Sequence, residues 1–275
     1  MKTFGIDVSK WQGVNFNFNQ AKNEGVKFVI LRGAYATSKD SQFENYYSKC
    51  KSLGLPIGVY HYSMATTVAQ AKKEAEFLHN NVLKGKQFEL PIYIDVEDKV
   101  QLALSKDALT NIVRAWCEYL EQKNYYVGIY ASKWTFDGEL NDAELKRYTH
   151  WIAQWYEKCT YNGNVDMWQF GGERNALRST KICGQTVDQD YMYKDFPTII
   201  KKAKKNGFKV ETTYFPKVSY TGVSLIEGLK SIDVNNSFSY RSKIAAKNNI
   251  VNYAGTAQQN TTLLNLLKQG KLMKP

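Results

Sequence analysis

Short apolar runs rich in β-branched and aromatic residues recur along the first two thirds of the chain. Each of the first five is followed by a stretch with helical periodicity, and strands that alternate with helices predict βα units around a parallel sheet. These five runs are TFGIDV (3–8), KFVILRGAY (27–35), PIGVYHYS (56–63), LPIYIDVE (90–97) and YVGIYAS (126–132). Three more runs follow with no room for helices between them, namely HWIAQWY (150–156), DMWQF (166–170) and QTVDQDY (185–191).

Five βα units and three further strands make eight strands, which is enough to close a barrel. We therefore predict an α/β fold built as a modified (β/α)-barrel. An open doubly wound sheet is the alternative. No GxGxxG or GxxxxGK[ST] motif follows any of the strands, so nucleotide binding has no support.

The pattern changes in the last quarter of the chain, where three segments have the apolar spacing of amphipathic helices. They are 223–232, 239–249 and 256–272, with candidate N-caps at Ser224, Ser237 or Ser239, and Thr256. The stretch ETTYFPKV (211–218) is a candidate leading strand. We predict a small, mostly helical C-terminal domain, with an α+β domain as the alternative. Because about 60 residues make only a marginal core, association into a homo-oligomer would stabilise this domain.

Charge divides the chain in nearly the same place. The sequence has 37 Lys and Arg against 26 Asp and Glu, a net charge of +11. Residues 1–200 hold 24 basic and 23 acidic residues, whereas residues 201–275 hold 13 and 3. We predict a barrel domain over 1–193, a basic helix end and linker over 194–211, and a C-terminal domain over 212–275. The basic excess favours an anionic polymer as the partner of the C-terminal domain, while no recognition motif supports nucleic acid.

Cysteine and histidine usage gives no sign of a metal ion or a cofactor, and we predict neither. The four cysteines form no CxxC pair, and the three histidines have no metal-ligand spacing. Unpaired cysteines are typical of a reducing cytosol. No apolar stretch approaches the ~18 residues of a membrane span, and the N-terminus meets Asp7 before an apolar segment can form. We therefore expect no membrane insertion and no signal peptide.

Carboxylates cluster at the ends of the predicted strands. In barrels of this kind, side chains at the C-terminal ends of strands form the active site. Strand one ends in Asp7, strand four ends in Asp95 and Glu97, and strand eight ends in Asp188 and Asp190. Residues i and i+2 of a strand project from the same face, so Asp95 and Glu97 are expected to lie together.

A pair of neighbouring carboxylates suits acid catalysis. Like charges held close raise one pKa and keep that carboxyl protonated. Glycoside hydrolysis needs a protonated acid for the leaving oxygen and an ionised partner for the positive charge at the anomeric carbon. Helix capping or ion pairing is the ordinary alternative for any one of these acids. Cation coordination is a third interpretation, although a compact loop of further oxygen ligands is missing.

Eight motifs follow one another along the predicted barrel. They are GIDVSKWQG (5–13), KFVILRGAYATSKDSQFENYY (27–47), GVYHYS (58–63), IDVE (94–97), GIYAS (128–132), HWIAQWY (150–156), MWQF (167–170) and VDQDY (187–191). Together they resemble family 25 glycoside hydrolases, the N-acetylmuramidases or lysozymes. The resemblance implies a modified barrel of five βα units and three further strands. It also implies cleavage of the β-1,4 bond between N-acetylmuramic acid and N-acetylglucosamine in peptidoglycan.

The resemblance implies roles for particular residues. Glu97 matches the family's general acid, and Asp95 matches an acid that orients the substrate's acetamido group or stabilises charge. Asp7 and Asp188 match two further acids of the site. The implied reaction retains configuration, with the substrate's own N-acetyl group as nucleophile. The side chains expected to contact sugar are Tyr60, Tyr62, Tyr130, Trp151, Trp168 and Gln169.

The sequence departs from the family pattern in two places. GAYA stands where an acidic residue is usual near Tyr35, which affects the substrate contacts expected after strand two, and Asp190 stands where an asparagine is common.

The C-terminal segment resembles the wall-binding domains of endolysins from phages of Gram-positive hosts. The chain as a whole therefore resembles an endolysin, which is expected in the host cytoplasm and reaches the cell wall through a separate pore protein. One alternative is a barrel that binds wall glycan without cutting it. Another is an amidase or peptidase, although the zinc or Cys–His pattern that such chemistry needs is missing.

Overall fold

The computed structural model describes residues 2–172, 181–209 and 213–275. The chain divides into two compact units, Met1–Lys209 and Val210–Pro275. Within the described ranges, no helix combines the length and the apolar character needed to cross a bilayer.

Eight strands close a barrel in the larger unit, which confirms the prediction of five βα units and three further strands. The strands of this unit are β1 (Thr3–Val8), β2 (Val29–Tyr35), β3 (Ser38–Lys39), β4 (Ile57–Tyr62), β5 (Ile92–Val96), β6 (Val127–Ser132), β7 (Thr149–Ala153), β8 (Met167–Gly171), β9 (Lys181–Ile182), β10 (Gln185–Thr186) and β11 (Asp188–Met192). Parallel pairs run from β1 through β2, β4, β5, β6 and β7 to β8. β11 closes the ring antiparallel to both β8 and β1, while β3 extends β2, and β9 and β10 form a separate hairpin.

Helices connect the first five barrel strands. The helices of this unit are α1 (Phe18–Asn23), α2 (Phe43–Ser52), α3 (Val68–Leu78), α4 (Lys99–Leu102), α5 (Lys106–Gln122), α6 (Asp142–Leu145) and α7 (Phe196–Ala203). Ser105 caps α5 as predicted, and its side chain accepts a hydrogen bond from the amide of Ala108. The buried face of α5 includes Ile112, Trp116 and Leu120, which have the spacing of an amphipathic helix.

Alternation along the strands separates two apolar layers. Ile94 and Ile129 face outward and pack in the larger core beneath the helices. Tyr93 and Trp151 belong to a second cluster in the barrel interior. Because successive side chains of a strand point to opposite faces, the residues that follow Tyr93 at steps of two also project inward, toward the open end of the barrel.

The basic segment predicted as a linker over 194–211 belongs to the barrel unit as far as Lys209. α7 buries Phe196 and Ile200 completely in the interior cluster. The sequence predicts a basic helix end and linker here; α7 is that helix, and its lysines concealed an apolar face that packs on the barrel. With the boundary at Lys209, the barrel unit holds 29 basic and 23 acidic residues and the C-terminal unit holds 8 and 3, so both units are basic.

The chain that follows α7 covers the end of the barrel where β5 and β6 begin. Asn206 is fully buried there in a left-handed conformation, with φ at 53°. Its Nδ2 donates to the carbonyl of Leu90 at 2.8 Å, and its Oδ1 accepts from the amide of Tyr126 at 2.7 Å. The helix itself ends at Ala203.

Three helices form most of the C-terminal unit, as predicted: α8 (Leu225–Lys230), α9 (Phe238–Lys247) and α10 (Ala257–Lys268). Ser224, Ser237 and Thr256 each cap one helix by accepting a backbone hydrogen bond. Within the predicted leading strand, the described residues 213–218 contribute one isolated antiparallel bridge, between Tyr214 and Met273. The core of this unit includes Leu225, Leu229, Ile244, Leu263, Leu264 and Leu267.

Candidate active site

Two carboxyl groups stand at the C-terminal end of β5, as the sequence predicts. Asp95 is buried within the strand, and Glu97 follows the strand with an exposed side chain. Burial raises the pKa of Asp95 well above its usual value, Glu97 and Asp7 raise it further, and Arg32 opposes them. The Oδ1 atom of Asp95 is buried with no hydrogen-bond partner among the described residues.

Glu97 faces an open cleft rather than the barrel interior. Desolvation by the cleft walls raises the pKa of Glu97, and the neighbouring Asp98 raises it further. A carboxyl group that keeps its proton to a higher pH and remains accessible is suited to general acid catalysis.

Asp7 and Asp188 face each other across the seam of the barrel. They are paired in the antiparallel register of β1 and β11, and the Asp188 carboxylate packs so closely over Gly172 that a Cβ there would lie 1.9 Å from its Oδ1. Asp188 is the first residue of β11, so the prediction that it ends a strand was wrong. It still reaches the barrel mouth because β11 is antiparallel, which places its beginning at the edge where the parallel strands end.

Gln169 of β8 connects Asp7 to two aromatic side chains. Its Nε2 donates to Asp7 Oδ2 at 2.8 Å. Its Oε1 accepts from the Tyr130 hydroxyl and from the Trp155 indole, both at 2.9 Å. Burial and then Asp188 raise the pKa of Asp7, while the bond from Gln169 opposes them. The structure therefore brings Gln169 and Tyr130 to the acids, as expected.

Tyr60 and Tyr62 of β4 lie on the same inward face as the acids. Tyr60 is half-buried and packs edge-on against Trp151, with ring centroids 6.3 Å apart. Tyr62 lies nearer the rim, where its ring stacks on Tyr35 at 5.0 Å and its hydroxyl donates to Asp98 Oδ2 at 3.1 Å. Tyr62 therefore contacts Tyr35 through its ring and Asp98, the residue that follows Glu97, through its hydroxyl.

Two tryptophans expected to contact sugar do not line the cleft. Trp151 is buried beneath the acids, and its indole Nε1 donates to Asp190 Oδ1 at 2.8 Å. Trp168 is next to the inward-facing Gln169 and therefore points outward, where its ring packs against Phe170 and Tyr191. Both predictions were wrong because a strand motif does not give the depth or the face of a side chain.

Several residues that line the mouth are not among those expected from the sequence. A cleft of about 510 Å³ contains Glu97, Tyr130 and Gln169 together with Lys133, Trp134, Ala153, Gln154, Trp155 and Tyr156. A second hollow of about 530 Å³ is lined by Lys10, Trp11, Arg32, Tyr35, Ser38, Lys39, Asp40, Ser41 and Tyr62. Trp11, Trp134 and Trp155 come two or three residues after the ends of β1, β6 and β7, and that position in the sequence could have indicated them.

Arg32 and Asp40 form a buried ion pair in the second hollow. The guanidinium Nε of Arg32 lies 2.8 Å from Asp40 Oδ2, which also accepts a hydrogen bond from the amide of Lys10. Asp40 thereby connects β2 to the loop that carries Trp11. In the described parts of the chain, no group of three or more His, Cys, Asp or Glu side chains is arranged to hold a metal ion.

A closed α/β barrel with acids and aromatic side chains at the C-terminal ends of its parallel strands belongs to the broad class of barrel enzymes. The family model for glycosyl hydrolases family 25 matches residues 6–177, which is more than half of the chain. The chain therefore belongs to glycosyl hydrolase family 25.

Relatives with known descriptions share parts of the chain. An autolytic lysozyme of Clostridium acetobutylicum is 33% identical over 152 residues, which are 55% of this chain and 44% of that protein. An endolysin of Listeria phage A511 is 38% identical over 55 residues, 20% of this chain and 16% of the endolysin. The chain thus spans less than half the length of either relative.

The fold has solved counterparts. The modular autolysin LytC of Streptococcus pneumoniae, solved in complex with a synthetic peptidoglycan ligand, superimposes with a TM-score of 0.61 at 21% identity. The match covers 70% of this chain and 47% of LytC. At this identity the likeness supports the barrel architecture alone.

Proposed function

We propose that the barrel is an N-acetylmuramidase that hydrolyses the β-1,4 bond between N-acetylmuramic acid and N-acetylglucosamine in peptidoglycan. The observation that carries this proposal is the pair on β5: an accessible Glu97 with a raised pKa beside a buried Asp95 that has an unused oxygen. Membership of family 25 and the described activity of the autolytic lysozyme support the substrate class.

Glu97 and Asp95 have different roles in the proposed reaction. Glu97 donates its proton to the glycosidic oxygen, and the C1–O bond breaks with the leaving sugar taking that proton. The substrate's acetamido N–H donates to the carboxylate of Asp95, which stabilises the ionised form of Asp95 next to the developing positive charge.

The proposed reaction retains configuration. The acetamido carbonyl oxygen attacks C1 as the leaving group departs, and a water molecule then opens the cyclic intermediate from the face that the leaving group left. Glu97, now ionised, accepts a proton from that water and regains its starting state. Asp7 and Asp188 are placed to stabilise positive charge from the opposite wall of the mouth.

Replacing the proposed acid tests the reaction. Glu97→Gln should lower the release of muropeptides from purified Gram-positive walls by about 10²–10⁴-fold, because an amide cannot supply the proton. Mass spectrometry of the digest should show new reducing-end muramic acid with the unchanged protein. Glu118→Gln, at an exposed position on α5, is the matched control and should retain activity.

The same digest separates the alternatives. Turnover that persists in Glu97→Gln would rule out Glu97 as the acid. A glycan that stays intact with the unchanged protein would favour a barrel that binds wall polymer without cutting it. Free amino groups without new reducing ends would indicate an amidase or peptidase.

We further propose that the chain serves as the endolysin of a phage with a Gram-positive host. The similarity to the Listeria phage endolysin over 55 residues supports this proposal. According to this proposal, the protein accumulates in the host cytoplasm and reaches the wall through a separate pore protein. The C-terminal unit binds an anionic wall polymer and self-associates. Expression in host cells with and without a co-expressed pore protein tests release: lysis should require both proteins.

A further inference from the structure

A fifth carboxyl group, Asp190, lies inside the barrel near the proposed catalytic acids. It is fully buried and sits on the inward face of β11, opposite Gly5 of β1. Its Oδ1 accepts a hydrogen bond from the Trp151 indole at 2.8 Å. Its Oδ2 is also buried and receives no hydrogen bond from an N–H or O–H group of the described residues.

Asp190 lies beside the carboxyl group of Asp7. Asp7 lies two residues after Gly5 on the same inward face of β1, so it is the diagonal neighbour of Asp190 across the β1–β11 pair, and each acid shifts the pKa of the other. Two carboxyl groups can share a hydrogen bond only if one of them carries a proton. Asp7 already accepts a hydrogen bond from Gln169. A charge on both acids would place two like charges together in a region of low dielectric constant.

We propose that Asp190 keeps a proton and donates it in a hydrogen bond to Asp7. Asp190 is then a positioning residue, because it holds Asp7 ionised and fixed at the mouth without touching the substrate. The shared proton follows from the geometry of the barrel, whereas its effect on catalysis rests on the proposed function.

The surroundings of Asp190 agree with a neutral carboxyl. Burial and then Asp7 raise the pKa of Asp190 well above its usual value, and Asp188 on the same strand raises it further. Tyr93 faces it from β5. No Lys, Arg or His of the described residues forms an ion pair with Asp190, so no cation offsets a negative charge there.

The proton has a predictable effect on stability. A carboxyl whose pKa is higher in the folded state contributes stability that is complete below its unfolded pKa, about 4, and is lost as pH rises through the folded value. Asp190→Asn removes this ionisation and keeps both hydrogen bonds, since the amide oxygen can accept from Trp151 and the amide nitrogen can donate to Asp7.

The experiment compares Asp190→Asn and Asp190→Leu with the unchanged full-length protein. In infrared difference spectra against the unchanged protein, both variants should lose the band of one protonated carboxyl, while the bands of the other protonated acids, Glu97 and Asp95, remain. Above about pH 5 the unchanged protein should lose stability relative to Asp190→Asn as pH increases. Asp166→Asn is the control, because Asp166 is a buried acid whose Oδ1 lies 2.6 Å from Lys194 Nζ. This variant should keep the band.

Activity gives a further measurement. Asp190→Asn should hydrolyse walls within about threefold of the unchanged rate at the optimum, because its amide still donates to Asp7. Asp190→Leu, which has no donor, should lose at least about tenfold in kcat with little change in KM.

Two results would overturn the proposal: difference spectra in which neither Asp190 variant loses a protonated-carboxyl band, or stability curves of the unchanged protein and Asp190→Asn that run parallel from about pH 5 to about pH 9. Neither depends on activity. If the band and the stability difference appear but the unchanged protein cleaves no wall, the proposed function fails and the shared proton remains supported.

Discussion

Asp95 and Glu97 are two residues apart on one strand, yet their surroundings differ. Asp95 is enclosed by the barrel, where burial acts on it most strongly, whereas Glu97 stands where the strand opens into the cleft. Extended backbone puts both carboxyls on one face about 6.5–7 Å apart at Cα. A short strand can therefore offer one accessible acid and one desolvated acid to the same substrate.

His61 is the buried titratable residue on the outward face of β4. The Trp116 indole donates to its Nδ1 at 2.8 Å, so the ring proton lies on Nε2, which donates to the carbonyl of Ala36 at 2.8 Å. Ala36 has a φ of 46° and follows Tyr35 in the turn after β2. A neutral imidazole thus holds the turn that presents Tyr35 to Tyr62.

We predict that His61 titrates far below an ordinary histidine. Burial lowers the pKa of His61 from 6.5 to about 4. Between these values the unfolded chain binds the proton and the folded one does not, so stability falls as pH decreases from about 6.5 to about 4, by about 3 kcal/mol in total. NMR titration, with the signal assigned through His61→Gln, measures this pKa. A midpoint near 6.5 would contradict the prediction.

At the level of elements, the two ends of the barrel are built differently. The mouth is formed by loops that follow parallel strands and by the beginning of the antiparallel β11. The opposite end is covered by α7 and by the turn around Asn206, whose backbone and side chain bond to residues just before β5 and β6. These hydrogen bonds fix the residues at which β5 and β6 begin. Because each strand is a rigid extended segment, they also fix where its C-terminal end lies.

We predict that Asn206→Ala lowers the free energy of unfolding of the barrel by about 2–5 kcal/mol. The substitution removes the side chain that bonds to the Tyr126 amide and to the Leu90 carbonyl. It also leaves a left-handed φ that alanine disfavours. Urea unfolding measures the change. Asn206→Gly is the control, because glycine adopts the left-handed φ without strain and also lacks the side-chain hydrogen bonds. A glycine variant as stable as the unchanged protein would show that backbone strain, and not the hydrogen bonds, sets the cost.

At the level of the whole molecule, positive charge is spread over both units. The barrel unit carries a net +6 and the C-terminal unit a net +5, from 29 against 23 and 8 against 3 charged residues. Per residue, the C-terminal unit of 66 residues is the more strongly charged. The proposed attraction to an anionic wall polymer is therefore expected of the complete chain, with the C-terminal unit contributing out of proportion to its size.

We predict that removing Val210–Pro275 weakens retention on walls. In a sedimentation assay with Glu97→Gln as background, the full chain should bind walls at low salt and be released as salt screens the charges. The segment 1–209 alone should bind several-fold less. Walls stripped of anionic polymer should reduce the difference. Equal retention of both proteins would mean that the barrel accounts for wall binding by itself.

The sequence by itself determined the barrel strands, the C-terminal helices and the candidate acids, because these depend on local periodicity, capping and motif. Ser105, Ser224 and Thr256 act as the caps that local chemistry predicts. Glu97 and Asp95 were found because strand ends of a parallel barrel converge.

Tertiary structure decided what depends on direction, depth and partners. The antiparallel course of β11 brought the first residue of a strand, Asp188, to the mouth. Strand alternation turned Trp168 away from the cleft, and depth placed Trp151 beneath it. The apolar side of α7 joined a lysine-rich segment to the barrel. The contact of Asp190 with Asp7 likewise exists only in the closed barrel, because side chains far apart in sequence meet there away from water.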